Sequence, residues 1–460
     1  MRIRTQQTNF NRWSFTLVIF FLVAVFSLGG ASRADAQSQV PLRLVTIFLC
    51  ALALAWRDSA LYMRASVPLV FLGIFAFQMV IQLLPLPPEI WRALPGREAF
   101  WHLNDLAGTT LQWRPISFQP DKTMNSLLAL IPPAGAAIIF GSISSSKWKR
   151  VLELLIVAIA ISALFGLMQI TTGNSLFYLY NITNPGAPVG VFANRNHQGV
   201  LLATALPMLA MYASSSTRQG NDKVVWVAGG AALMFVSLIL VTGSRAALAV
   251  AALGIGAGWV LHQSGNSKGL DIRPRKLTSG FVYIVILTAI AAVGVIFALS
   301  SRALSLQRIF TEDVSQEIRV KLFLPMLEIA WRYFPIGTGM GTFVDVFKVY
   351  EPSVNLDFTY LNHAHNELVE LVIEGGLISI GLTSVFLWMW SRACIRIWLD
   401  RRHNNRVDLA RLGSIVTGMI MIASLADYPL RTPIMSSLFV VMLLWMFARE
   451  PSANQQPLRN

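Results

Sequence analysis

The chain has little of what a water-soluble protein needs. Only 13% of its 460 residues are charged, whereas about 25% is typical of soluble domains, and 55% are hydrophobic. Its two cysteines, Cys50 and Cys394, both lie in apolar stretches, so the sequence offers neither a disulfide framework nor a thiolate metal site. These shortages exclude a cytosolic enzyme, a disordered tail and a disulfide-rich secreted domain. With a mean hydropathy of +0.57, they indicate a polytopic membrane protein.

The charge that the chain does carry is mainly positive, because 37 Lys and Arg residues outnumber 23 Asp and Glu and give a net charge of +14. In a soluble protein this excess would suggest nucleic acid as a partner. Basic residues that flank membrane spans instead collect on the cytoplasmic side, and that pattern explains the excess here. We therefore expect membrane lipids, and no nucleic acid, among the partners.

Long hydrophobic runs predict an all-α fold with about twelve transmembrane helices, since a helix needs roughly 20 apolar residues to cross the hydrocarbon. The predicted spans are Trp13–Gly30, Val40–Trp56, Ser66–Leu86, Met124–Ile143, Val151–Ile170, Gly199–Ala213, Val224–Val241, Arg245–Leu261, Phe281–Ser300, Glu370–Cys394, Leu409–Ala426 and Pro433–Ala448. The sixth is short and the boundary at Thr242-Gly243-Ser244 is tight, so eleven or thirteen spans remain open.

The distribution of Lys and Arg predicts the orientation. With the N-terminus in the cytoplasm, every short basic loop falls inside, together with more than half of all Lys and Arg residues. We therefore expect a multi-pass membrane protein with both termini in the cytoplasm. The run Trp13–Gly30 followed by Ala34-Asp35-Ala36 also resembles a signal peptide, but its length favours a retained helix.

The whole chain, residues 1–460, is predicted to be a single transmembrane domain with two long loops on the outer side of the membrane. The first, residues 86–122, is rich in Pro and Trp. The second, residues 301–362, contains an amphipathic stretch, Val320 to Tyr333, that is typical of a helix on the membrane surface.

The uncommon polar clusters all fall on the outer face under this topology. They are residues 190–197, Gly243-Ser244-Arg245, the large loop with Arg308, Arg319 and Gly337-Thr338-Gly339-Met340-Gly341-Thr342-Phe343, His363-Ala364-His365-Asn366-Glu367, and Asp427-Tyr428-Pro429-Leu430-Arg431. Because charges near hydrocarbon are costly, five clusters on one face predict one shared polar site. The spacing of the three glycines is wrong for a dinucleotide fingerprint and favours a tight turn instead.

In this order and on this face, the clusters resemble the O-antigen ligase superfamily, which includes lipopolysaccharide O-antigen ligases and polymerases of related surface polysaccharides. The resemblance covers residues 190–433. It rests on Gly-x-Phe-x-Asn-x-Asn from Gly190, the Ser244-Arg245 pair, an Arg before Pro335-Ile336-Gly337-Thr338-Gly339, and His365-Asn366 followed by Gly376. Ser379 stands where the ligase motif has Gly, Thr or Tyr, which argues slightly against a strict ligase.

The resemblance implies a metal-independent, inverting glycosyltransferase with a GT-C-like fold and no cofactor. Such an enzyme moves a glycan from an undecaprenyl-diphosphate carrier to an acceptor sugar hydroxyl, on a second glycan for a polymerase or on the lipid A core for a ligase. The alternative is a transporter or flippase. Transporters carry ionisable groups near the bilayer midplane, whereas the polar residues here collect at one mouth.

The resemblance also implies roles for individual residues. His365 matches the general base, and a neutral imidazole suits that task near pH 7. Arg245 and Arg319 match the arginines that bind the diphosphate, whose developing charge a guanidinium neutralises well. Arg195 is a further candidate for this role, and Arg308 competes with Arg319.

Several neighbouring residues have both a structural and a functional interpretation. Asn194 and Asn196 are compatible with a turn or with substrate binding. Asn366 and Glu367 are compatible with the cap of a helix. The glutamates Glu367, Glu370 and Glu374 recur at helical spacing and could line an acceptor groove. His363 raises a metal alternative beside His365, but no third ligand can be located from the sequence, so no metal site is predicted. Asp427 and Arg431 could pair across their turn.

Overall fold

The structure is a computed structural model. It describes residues 2–55, 61–108, 112–217, 221, 223–265, 314–352, 361–402 and 404–449. Side chains are described within these ranges except at residues 2–12, 62, 99, 104, 262–265 and 314–321.

Helices make up about three quarters of the described chain. In order they are α1 Arg2–Leu28, α2 Gln39–Ala55, α3 Leu61–Leu83, α4 Pro88–Arg92, α5 Glu98–Leu106, α6 Pro120–Leu128, α7 Ile131–Gly141, α8 Trp148–Thr172, α9 Arg195–Thr217, α10 Lys223–Thr242, α11 Arg245–Gly265, α12 Val314–Tyr333, α13 Phe343–Tyr350, α14 Glu367–Leu399, α15 Asn405–Ser424 and α16 Pro433–Phe447. Short 3-10 turns cover Ser145–Lys147, Ser175–Phe177 and Pro429–Arg431. Two antiparallel strands, β1 Pro85–Leu86 and β2 Arg114–Pro115, pair Pro85 with Pro115.

The predicted spans correspond to apolar helices wherever the structure describes them. Seven helical stretches are long and apolar enough to cross a membrane, and four shorter apolar helices, Trp13–Leu28, Gln39–Ala55, Arg245–Leu261 and Pro433–Phe447, match four further predicted spans. The ninth predicted span, Phe281–Ser300, lies outside the described residues. The prediction of an all-α polytopic membrane protein is confirmed.

Helix α9 forms the centre of the bundle. Almost all of it is buried, because α8, α10, α11 and α15 pack around it. Small residues allow close approach: a Cβ on Gly199 would lie 2.6 Å from the Cβ of Ala247 in α11. Helix α1 also contributes to the core, where the ring of Phe21 meets that of Phe140 edge-on at 6.0 Å.

The chain direction alternates, so the bundle has two distinct ends. At the first, here called the site end, helices α1, α3 and α8 finish and α2, α9, α11, α14 and α16 begin. Backbone bonds join segments there, as when the amides of Ala193 and Ile434 donate to the carbonyls of Gly30 and Gly29, each at 3.2 Å. The other end, here called the basic end, holds Arg64, whose guanidinium caps the carbonyls of α7.

Helix α14 is broken one quarter of the way along its length. Gly376 has φ 56° and ψ −143°, which lies outside the helical region and which only glycine adopts at little cost. The loop that follows α12 docks into the break. The amide of Leu377 donates to the carbonyl of Pro335 at 2.8 Å, and the amides of Thr338 and Gly339 donate to carbonyls of α14 at 3.0 and 2.9 Å. The predicted glycine turn is therefore present, with φ between 83° and 104° at residues 337, 339 and 341.

The first long loop folds over the same region as a compact layer. The amide of Phe118 donates to the carbonyl of Thr338 at 3.0 Å, which joins the two loops. Arg97 is 1% exposed and lies 3.7 Å from the ring centre of Phe118 and 5.1 Å from that of Trp91. Burial lowers the pKa of Arg97 to about 10. This buried cation is held by aromatic faces and by the carbonyl of Ile116, to which its Nη2 donates at 2.6 Å.

Candidate functional site

The polar clusters of the sequence meet around Tyr428 at the site end. The rings of His363, His365 and His197 lie 4.2, 5.0 and 5.1 Å from the Tyr428 ring, measured between centres. The side-chain amide of Asn194 donates to the Tyr428 hydroxyl at 3.5 Å. Three segments that are remote in sequence, before α9, before α14 and between α15 and α16, therefore build one cluster.

His365 lies immediately outside α14, in a conformation that the helix start imposes. Asn366 caps α14, since its side-chain oxygen accepts from the amides of Leu368 and Val369 at 3.1 and 3.2 Å. His365, one residue earlier, has φ 51°, which is uncommon for a residue with a Cβ and is typical of strained functional positions. Its Nδ1 lies 3.3 Å from Oδ1 of Asp427.

Two glutamates one turn apart place their carboxylates on the same face of α14 and bracket one arginine. Nη2 of Arg431 lies 3.1 Å from Oε1 of Glu370 and 3.1 Å from Oε2 of Glu374. Burial alone would lower the pKa of Arg431, but these carboxylates outweigh it and raise the pKa above its ordinary value. Arg431 is therefore a fixed cation rather than a proton donor.

Each of these carboxylates also accepts further hydrogen bonds. Glu370 accepts from the amide of Ala364 at 2.8 Å, and its Oε1 lies 2.8 Å from Nδ1 of His363. Glu374 accepts from the amide of Phe343 at 3.0 Å, which ties α13 to α14. Because His363 touches both Glu370 and Tyr428, it links the carboxylate cluster to the histidine cluster.

A cavity of about 510 Å³ opens beside this link, between α2, α3, α6, α7, α14 and α16. Its inner wall is apolar and includes Leu72, Phe75 and Phe439. Its polar end is formed by His363, Glu367, Glu370, Glu374 and Arg431, with Arg33 and Lys122 towards the rim. The cavity thus combines an apolar passage among spans with charged groups at one end, as a site for an amphipathic ligand requires.

The predicted diphosphate-binding arginines occupy helix starts at the same end. Arg245 is the first residue of α11 and Arg195 the first residue of α9, and both are half-buried. The first turns of these two helices touch through Gly199 and Ala247. Arg319 lies in α12, but its side chain is outside the described part, and Arg308 is outside the described residues altogether.

The remaining predicted residues contribute mainly local bonds. Asn194 accepts from the amide of Asn196 at 2.8 Å, a turn that starts α9. Glu367 is buried and accepts from the amide of Leu430 at 2.8 Å, so it holds the segment between α15 and α16. Within the described ranges, no three His, Cys, Asp or Glu side chains converge as metal ligands. His363 and His365 face different carboxylates, on Glu370 and Asp427.

Two members of the cluster were not predicted from the sequence. His197 and Tyr428 lie in the polar segments 190–197 and 427–431, where nothing in the sequence indicates their part in the cluster. The expected pairing of Asp427 with Arg431 is not the contact that the structure shows. Asp427 faces His365, and Arg431 lies between two glutamates. The usable signal was Glu374, a carboxylate deep in an apolar run, which required a cation near it.

The fold and the site define a polytopic, all-helical membrane protein with a buried polar cluster at one end of its bundle. Residues 230–384 match the family model described as O-antigen ligase, which confirms the resemblance to the O-antigen ligase superfamily. The matched region contains Arg245, Arg319, His365 and both glutamates of the carboxylate cluster, while Asn194, Asp427 and Arg431 lie outside it. No curated protein matches the chain. The family supports a function of the O-antigen ligase or polymerase type.

Proposed function

We propose that the protein is a glycosyltransferase that moves a glycan from an undecaprenyl-diphosphate carrier to an acceptor sugar hydroxyl, without a metal and with inversion at the anomeric carbon. The observation that carries the proposal is the contact between His365 and Asp427, 3.3 Å apart, at the bundle end where Arg195 and Arg245 begin their helices. This arrangement puts a base and two cations at the same end of the bundle.

His365 is the proposed general base. With Nδ1 turned to the Asp427 carboxylate, Nε2 is the nitrogen that receives a proton, and the carboxylate stabilises the imidazolium that forms. The acceptor hydroxyl oxygen bonds to the anomeric carbon while its proton passes to Nε2. The bond from that carbon to the diphosphate oxygen breaks, and its electron pair leaves with the diphosphate.

Arginines are the proposed stabilisers of the departing diphosphate. Arg195 and Arg245 stand at helix N-termini, where the backbone dipole adds to the charge of each guanidinium. Arg319 joins them by its match to the family motif, and its helix α12 is attached to the site through the loop that docks on Gly376. Guanidinium groups bind phosphate oxygens in pairs and stay charged, so no metal is needed.

The 510 Å³ cavity is the proposed place for the amphipathic part of a substrate. Its apolar wall, with Phe75 and Phe439, suits a hydrocarbon chain, and the carboxylates of Glu370 and Glu374 suit sugar hydroxyls at the polar end. The acceptor is a carrier-linked glycan for a polymerase and a lipid A core sugar for a ligase. We place the site end in the periplasm and the basic end, with both termini, in the cytoplasm of a bacterial inner membrane.

The test is complementation of a deletion strain, with extracted glycans separated on a gel. His365→Ala and Arg245→Ala should each abolish long-chain surface polysaccharide while the protein still inserts in the membrane. His102→Ala, in the first long loop, and Arg150→Ala, at the start of α8, are matched controls and should leave the glycan unchanged.

The glycans of the deletion strain distinguish a polymerase from a ligase, which use different acceptors. Single repeat units capped on lipid A core indicate a lost polymerase, and long chains left on the carrier indicate a lost ligase. Normal polysaccharide in the His365→Ala strain would refute the proposed base. Carrier-linked units trapped on the cytoplasmic leaflet would identify a transporter instead.

A further inference from the structure

A second cavity, of about 620 Å³, lies at the basic end of the bundle, far along α14 from the polar cluster. It is bounded by the last turns of α14 and α16 and the first turn of α15, with Val67 of α3 at one side. The charged residues that line it are Arg392, Arg396, Asp400, Arg402, Arg406 and Arg449. Its volume falls within the 300–1,000 Å³ or so that is usual for small-molecule sites.

The one carboxylate among the described lining residues is already engaged. Arg402 binds Asp400 through two nitrogens, the closest at 2.7 Å, and holds the pKa of that carboxyl at about 2. The backbone carbonyl of Asp400 accepts from Arg411 at 2.6 Å, which anchors the turn between α14 and α15. Four arginines therefore contribute positive charge to the cavity that no lining carboxylate in the described part offsets.

These four arginines come from three different elements. Arg392 and Arg396 are one turn apart on α14, so they project on the same face. Arg406 is fixed by a bond from its Nη2 to the carbonyl of Ala448 at 2.5 Å, and Arg449 follows directly after that carbonyl. The folding of the chain, and not a single basic run, brings them together.

Apart from Asn404, the rest of the lining is apolar, and it extends to exposed apolar side chains of α14. Trp388, Met389 and Phe447 contribute to the wall, and the guanidinium of Arg392 lies 5.0 Å from the Trp388 ring centre. Trp388, which lines the cavity, is 58% exposed, and Ile395, two turns further along α14, is 60% exposed, so the cavity wall continues into an exposed apolar face of α14. A small hydrophilic anion gains nothing from contact with these apolar side chains, whereas the acyl chains of a lipid pack against them.

We propose that this cavity binds the headgroup of an anionic phospholipid, with its phosphate among Arg392, Arg396 and Arg449 and its acyl chains along the Trp388 face of α14. Guanidinium groups bind phosphate oxygens two at a time, and basic pockets between spans on the cytoplasmic side suit such headgroups. The proposal does not depend on the function proposed above. Its failure would leave the glycosyltransferase assignment as it stands.

Native mass spectrometry of the full-length protein in a neutral detergent tests the proposal. The probes are cardiolipin, phosphatidylglycerol and phosphatidylethanolamine, each titrated separately. We expect retention of the two anionic lipids and weak retention of phosphatidylethanolamine. The variant Arg392→Gln/Arg396→Gln should bind cardiolipin about 30-fold more weakly, since each basic residue near the surface contributes about a factor of five.

The matched control is Arg401→Gln/Arg150→Gln, which removes the same charge from two exposed arginines of the basic end that do not line the cavity. It should bind cardiolipin within about twofold of the unmodified protein. Equal losses in the two double variants would show a diffuse surface attraction and overturn the proposal. Complete displacement of the lipid by millimolar inorganic phosphate would show a site for free phosphate and would also overturn it.

Discussion

Arg431 should be essential for stability because it lies between two buried carboxylates. Glu370 and Glu374 are 1% and 0% exposed, so their charges are poorly solvated if the guanidinium is lost. Removing one partner of a buried ion pair costs about 3–5 kcal/mol. Glu370 and Glu374 each keep at least one backbone amide as a donor, so we expect Arg431→Met to cost about 3 kcal/mol, at the lower limit.

A double-mutant cycle separates the ion pair from simple packing. The free energy of unfolding is measured in mixed micelles for Arg431→Met, Glu374→Gln and the double variant. The double variant should recover part of the loss, with a coupling energy of about 1–3 kcal/mol between the two sites. Arg431→Lys is the control, because it keeps the charge but cannot reach both carboxylates in the same way. A coupling energy below about 0.5 kcal/mol would refute the ion-pair argument.

Three further predictions concern positions that the fold constrains. Gly376→Ala should cost about 3 kcal/mol or more in the free energy of unfolding, because its backbone conformation excludes a Cβ, which would overlap the Pro335 carbonyl; an unchanged value would show that the break is not required. Arg97→Ala should cost about 2–4 kcal/mol by leaving a cavity, whereas Arg97→Met, similar in length and apolar, should stay within about 1 kcal/mol, and equal losses in the two variants would make the charge decisive. His197→Phe should also stay within about 1 kcal/mol, because neither ring nitrogen has a hydrogen-bond partner in the described part and its ring packs against Tyr428; a loss of several kcal/mol in a melting experiment would contradict this.

The membrane architecture could be predicted because the length of an apolar run is set directly by the thickness of the hydrocarbon. Every predicted span within the described ranges coincides with an apolar helix. The predicted span Met124–Ile143 corresponds to one apolar stretch, Pro120–Gly141, in which a short turn at Ala129 and Leu130 separates α6 from α7. The signal was Pro132-Pro133, since proline is tolerated in the first turn of a helix and not in its interior.

The break in α14 could not be predicted from its own residues. A glycine pair in an apolar run is compatible with an ordinary spanning helix, and the conformation of Gly376 depends on the carbonyl of Pro335, which lies in another loop. The same limit applies to the candidate site. His365 could be singled out by its motif, but its contact with Asp427 depends on how α14 and α15 pack.

Charged residues show most clearly which contacts can be predicted from the sequence and which cannot. A carboxylate in an apolar run is costly, so Glu374 is a signal in the sequence that a cation lies near it. It could not indicate which cation, since Arg431 is 57 residues further on and its nearer neighbour Asp427 offered a simpler pairing. Partners within one helix follow from spacing, whereas partners across helices follow only from the packed bundle.

The break at Gly376 has a consequence for how the protein is assembled. The part of α14 that precedes it, Glu367 to Gly375, is about 13 Å long, less than half the thickness of the hydrocarbon. Its last carbonyls, from Ile373 to Gly375, bind the amides of Thr338 and Gly339 and the side chains of Gln78 and Gln82. This segment therefore acquires its full set of bonds only after α3 and the loop behind α12 have been synthesised and have reached it. Docking of the loop that follows α12 therefore completes the hydrogen bonding of this part of α14 within the bundle.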